Sequence, residues 1–209
     1  MNDKAFSSIA AVAAPLPLAN VDTDKILPAK FLKTVERSGL GKALFHGMRF
    51  ASDGSPKPDF ILNGEPWSRA EILVALENFG SGSSREHAPW ALRDFGIRAI
   101  IATSFADIFR QNCIKNGMLP ALVSGEDISE ILAIVSGAET ANLSIDLAEH
   151  SITSVAAQRT WTFEIDRASQ DLLAAGEEEI DASFRLIDVI DQHMNERRLR
   201  APWILPITW

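Results

Sequence analysis

The sequence holds a single cysteine, Cys113, among 209 residues. One thiol cannot close an intramolecular disulfide, which fits a reducing compartment. Nor can it hold an iron–sulfur cluster, which takes several thiolates. No apolar run approaches the roughly 18–20 residues needed to cross a bilayer. Met1-Asn2-Asp3-Lys4 begins polar, with no basic stretch ahead of a long apolar one, so no signal peptide is read. Basic residues are the minority: 20 Lys+Arg against 28 Asp+Glu leave a formal charge of −8. A nucleic-acid binder would need a basic face. Internal repeats are lacking, and His46, His87, His150 and His193 are scattered without metal-ligand spacing. The expectation is a cytoplasmic protein with no metal site of its own.

What is present is an ordinary globular composition, 46% apolar and 23% charged. The length allows one large domain or two small ones, with a core that needs no staples. The stretch to about Leu32 reads as a strand followed by an extended loop. Residues 38–66, with Gly39, Gly41, Gly47, Gly54, Gly64 and Pro56, Pro58, Pro66, are the most loop-like part. A mobile loop is expected over about 33–66. From Ile72 the pattern becomes regular. Apolar runs at 72–76, 98–102 and 118–123 alternate with helical stretches at 87–95, 104–116 and 126–135. Gly96 and Gly117 follow two of the helices, and Ser104 is positioned to cap one. This rhythm predicts an α/β fold with a largely parallel central sheet. After residue 140 the pattern is β-rich, with alternation at 142–147 and 161–165, then helical at about 168–175 and 183–196. The tail 202–209 is apolar and would be costly to leave in water.

The sharpest motif is Gly80-Ser81-Gly82-Ser83-Ser84-Arg85-Glu86-His87. It is not a P-loop, because no Gly-Lys-[Ser/Thr] follows, and Arg85 stands where a dinucleotide fingerprint needs its third glycine. The loop lies where a strand feeds a helix, at the edge where such sheets bind ligands. Backbone N–H groups there favour an anion, and the planar fork of Arg85 suits a carboxylate. The bland alternative is a capping box running from Ser83 to Glu86. Pro89 then argues for a turn at 83–86 and a regular helix only from about 87. Cys113 reads as a buried structural thiol. Upstream, Asn20-Val21-Asp22-Thr23-Asp24-Lys25-Ile26 carries two carboxylates two residues apart. They form either an Asx-type turn or a group that orients a cation.

Taken together, Asn20 to Ile26, Gly80 to Leu92, Ser104 to Phe109 and Lys115-Asn116-Gly117 resemble the small-subunit family of 3-isopropylmalate dehydratases in the aconitase superfamily. The resemblance runs from about residue 4 to at least 190. It implies a single swivelling β/β/α domain over 1–209 that docks on a separate large subunit carrying a [4Fe–4S] cluster. The pair would isomerise 2-isopropylmalate to 3-isopropylmalate by dehydration and rehydration, in leucine biosynthesis. By the same resemblance Ser83 is the catalytic base. Arg85, Ser84 and Gly82 hold a substrate carboxylate, and Asp24 and His87 stand behind them. No metal ligand is expected in this chain.

Departures from the family pattern are Leu76, where many relatives have glycine, and Ser81, where many have cysteine; both read as packing variation. Citrate-using relatives carry an extra arginine shortly after the Asp24 segment. Here Phe31, Leu32, Thr34 and Val35 stand there, with no arginine until Arg37. An apolar pocket wall that selects an isopropyl group is the implied consequence. Small subunits of homoaconitate, methylmalate or dimethylmalate hydro-lyases are the near alternatives. A carboxylate-binding regulatory module or a structural interaction protein are the distant ones.

Overall fold

The computed structural model describes residues 4–32, 38–176, 184, 186–201 and 203. Among them, β1 (Ser8–Leu16), β2 (Ile72–Ala75), β3 (Ala99–Ala102), β4 (Leu119–Leu122), β5 (Asn142–Asp146), β6 (Ser151–Ser154) and β7 (Arg159–Thr162) form one sheet. Its order is β4-β3-β2-β1-β5-β6-β7. The first four strands are parallel, with Leu16 opposite Ala75, Val74 opposite Ile101 and Ala102 opposite Leu122. β5, β6 and β7 continue antiparallel from β1. Pro120 lies in β4, an edge strand of this order, where a missing N–H costs least.

Every residue of β2 and β3 is buried, because alternate side chains feed two cores. Leu73, Ala75, Ile100 and Ala102 face a core completed by α3 (His87–Phe95) and α4 (Asp107–Lys115) through Leu92, Phe109 and Cys113. Ile72, Val74, Ala99 and Ile101 face the other, completed by α5 (Gly125–Val135) through Ile128, Ile131 and Val135. Leu173 of α6 (Arg167–Ala175) joins that second core. The parallel register brings the carboxyl ends of β1, β2 and β3 to one edge, and the segments 17–22, 76–86 and 103–106 leave from there.

The regular elements fall where the periodicity predicts them, with instructive differences. The stretch 38–66 is not an open loop. Gly41–Ala43 and Ile61–Asn63 form single helical turns, α2 (His46–Arg49) lies between them, and Leu44, Phe45 and Leu62 are buried. Ser104 does not cap α4; the cap position is Ala106. Ser104 is drawn into pairing with the glycine-serine loop instead, accepting Asn78 N–H on its hydroxyl at 2.8 Å. β6 escapes sequence reading because Ser151-Ile152-Thr153-Ser154 has one large apolar side chain. The chain's contacts divide into two compact units, Met1–Gly176 and Glu177–Trp209. Among the described residues, the second unit contains the helix α7 (Ile187–Arg200). Of the apolar tail only Trp203 is described, and it is exposed. None of the described helices is long and apolar enough to cross a membrane.

Candidate functional site

Two loops at the carboxyl edge are laced together. Gly80 N–H donates to Val21 O at 2.7 Å, Thr23 N–H to Ser81 O at 2.8 Å, and Asn20 N–H to Glu77 O at 2.9 Å. Asn20 and Asn78, both at positive φ (54° and 55°), join through their side-chain amides at 2.7 Å. Asparagine tolerates this conformation better than most residues. Gly80 is required by contact as well as by φ. At φ +83° an added Cβ would lie 2.0 Å from the Phe109 ring.

Of the two carboxylates upstream, each takes one of the two roles read from sequence. Asp22 caps α1 (Thr23–Ile26), accepting Lys25 N–H at 2.7 Å. Asp24 reaches Arg85 instead, with Oδ1 3.5 Å from Nη2. The pair is largely exposed, so it aims the guanidinium more than it stabilises the fold.

Ser83 is the centre of the loop. Its Oγ accepts from Arg85 Nε at 2.6 Å and from Arg85 backbone N–H at 3.1 Å. Its own N–H donates to Thr23 Oγ1 at 3.1 Å, and Thr23 is buried. Gly82, Ser84 and Arg85 are exposed, while Ser83 is half-buried. Helix α3 begins only at His87, after a turn, as Pro89 requires. The His87 ring lies against Trp90, centroids 4.8 Å apart. With Gly82, Ser84 and Arg85 exposed, the tip of the loop stands at the surface of the carboxyl edge.

Two residues of this arrangement went unread in the sequence. Thr23 fixes the Ser83 amide, and Asn112, on the buried face of α4, donates from Nδ2 to Ser84 O at 3.2 Å. A usable signal for Asn112 was an amide set between Phe109 and Cys113 on an apolar helix face.

Of the residues assigned to specificity, Phe31 and Leu32 are half-buried against the first core. Phe31 meets the His46 ring edge-on at 4.8 Å, and Lys30 Nζ lies 4.9 Å over the Phe31 ring. Burial and the nearby Lys30 charge hold the His46 imidazole below its usual range. Thr34 and Val35 lie outside the described residues. Cys113 is fully buried, and desolvation pushes its thiol well up. A single thiol, buried and unready to ionise, does not fit an iron–sulfur cluster. Among the described residues no three His, Cys, Asp or Glu side chains gather closely enough to hold a metal ion.

These features define an α/β domain that presents a serine and an arginine at the carboxyl edge of a parallel sheet. The family model described as the aconitase C-terminal domain matches residues 3–126. The chain is 48% identical over 198 residues to the 3-isopropylmalate dehydratase small subunit of Agrobacterium fabrum, covering 95% of this chain and 98% of that one. With the small subunit of Rhodospirillum rubrum it shares 48% identity over 202 residues, 97% of each. The crystal structure of 3-isopropylmalate dehydratase (LeuD) from Methanocaldococcus jannaschii superimposes with a TM-score of 0.65 at 28% identity, covering 88% of this chain and 99% of that one. The chain belongs to the aconitase C-terminal domain family and, within it, to the small subunits of 3-isopropylmalate dehydratase.

Proposed function

We propose that this chain supplies the base and a carboxylate clamp to a hydro-lyase that interconverts 2-isopropylmalate and 3-isopropylmalate through isopropylmaleate, in leucine biosynthesis, and that it acts only with its large subunit. One observation carries the reading: Ser83 Oγ accepts two N–H donors from Arg85, one of them from the guanidinium. A serine hydroxyl is a poor base unless its alkoxide is stabilised. Fixed donors and a cation at hydrogen-bond distance do this, most effectively once water is excluded.

In this reading the Ser83 alkoxide takes a proton from one substrate carbon, and the C–H electron pair forms the C=C bond of isopropylmaleate as hydroxide leaves the neighbouring carbon. Rehydration returns the proton to the carbon that lost hydroxide and hydroxide to the other. The Nη edge of Arg85, steadied by Asp24, meets a substrate carboxylate, with Gly82 and Ser84 beside it. The exposure of Gly82, Ser84 and Arg85 supports a half-site that a large subunit completes. A lone buried Cys113 does not fit a cluster, which supports assigning a [4Fe–4S] group to the large subunit. His87 supports the loop from the start of α3. Phe31 and Leu32 supply an apolar wall for the isopropyl group, and the family resemblance assigns Thr34 and Val35 to the same role.

Two measurements test these roles in the reconstituted pair. Arg85→Lys keeps the charge and removes the fork, and kcat/KM should fall ~10²-fold or more; near wild-type kinetics would exclude Arg85 as a bidentate clamp. Replacing residues 31–37 by a citrate-type sequence bearing the extra arginine should shift preference towards a tricarboxylate. Unchanged preference, in a panel that includes homoaconitate, methylmalate and dimethylmalate, would reject the apolar wall.

A further inference from the structure

We infer that Asn112 is a positioning residue for the reaction: it orients the peptide between Ser84 and Arg85 so that the Arg85 N–H points at Ser83 Oγ. The inference rests on Ser83 being the base. Its grounds are geometric. The Ser84 carbonyl and the Arg85 N–H are opposite ends of one planar trans peptide unit, so fixing one fixes the other. Asn112 Nδ2 holds the carbonyl end at 3.2 Å, and the N–H end meets Ser83 Oγ at 3.1 Å.

The clamp is anchored in the core. Asn112 is 7% exposed on α4, beside Phe109 and Cys113, which belong to the first core. Phe109 also packs under Gly80, so the same helix carries both ends of the loop. Asparagine is a weak helix former, and a buried amide without a partner is costly. Its bond to a residue 28 positions away is what recovers that cost. A donor on the carbonyl also polarises the peptide and strengthens its N–H as a donor. Both effects favour the alkoxide form of Ser83, the form that takes the proton, so they belong to kcat rather than to substrate affinity.

A neighbour separates positioning from stability. Asn116 is equally buried, and its Nδ2 donates at 2.8 Å to the Asn112 backbone carbonyl, closing the end of α4. The test compares Asn112→Asp, Asn112→Leu, Asn116→Ala and Ser83→Ala in the full chain reconstituted with the large subunit and assayed on 2-isopropylmalate. Asn112→Asp keeps the shape and puts an acceptor where the donor was. Asn112→Leu removes the polar group at similar volume.

Both Asn112 variants should lose ~10–100-fold in kcat with KM within about threefold, while Asn116→Ala keeps kcat within about threefold. In the isolated full-length chain the Arg85 amide proton should shift upfield in both Asn112 variants and stay in place in Asn116→Ala. Wild-type kcat and an unmoved amide in the Asn112 variants, with Ser83→Ala inactive, would overturn the inference and leave the base standing. An active Ser83→Ala would instead remove the base itself. Equal losses in Asn116→Ala, or failure of both Asn112 variants to fold, would assign Asn112 to stability and overturn the inference as well.

Discussion

Arg85 touches Ser83 twice and Asp24 once, and each contact constrains a different part of it. The backbone N–H and Nε are committed to the serine, and Nη2 lies 3.5 Å from Asp24 Oδ1. That geometry needs the loop to pass close over α4, and Gly80 is the position that permits it. Gly80→Ala should lower stability by about 2 kcal/mol or more, read as a fall in the denaturant midpoint, because the Cβ meets the Phe109 ring and φ is +83°. An unchanged midpoint would mean the loop does not sit on Phe109. At this scale the motif was legible but its wiring was not. Ser83 and Arg85 stand out by type and order. Thr23 and Asn112 lie 60 and 28 residues from their partners, and no local pattern links them.

At the scale of elements, α6 docks onto α4 through Asp166. Its carboxylate accepts the Ser169 N–H at 2.9 Å and the Ser169 hydroxyl at 2.7 Å, and it pairs with Arg110 at 3.0 Å. These bonds, the Ser169 backbone first, hold the Asp166 carboxyl below its usual range. A carboxylate depressed in the folded state stabilises above the unfolded pKa of ~3.9 and loses that contribution as pH falls through the folded value. Asp166→Ala should therefore cost about 1 kcal/mol near neutral pH, the worth of such a cap, and the gap to wild type should close below about pH 4. A gap independent of pH would show that the charge is not involved. The fully buried strands β2 and β3 were plain in the sequence, because both faces are covered and the apolar runs are continuous. The packed segment 38–66 was not. Its glycines and prolines mark turns, and burial of Leu44, Phe45 and Leu62 comes from contacts beyond any local window.

Across the whole molecule, the single cysteine and the open loop point the same way. With a net charge of −8, recognition of an acidic substrate rests, in the proposed reading, on local donors at the carboxyl edge. Gly82, Ser84 and Arg85 are exposed there, and Cys113 is sealed in the core. In the proposed reading a second surface is needed to close this exposed edge, in keeping with a family of small subunits. The most direct measurement is kcat for 2-isopropylmalate of the pair reconstituted with Ser83→Ala against wild type, at matched complex. Loss of at least ~10²–10³-fold is the expected result, and a kcat within about threefold would contradict Ser83 as the base.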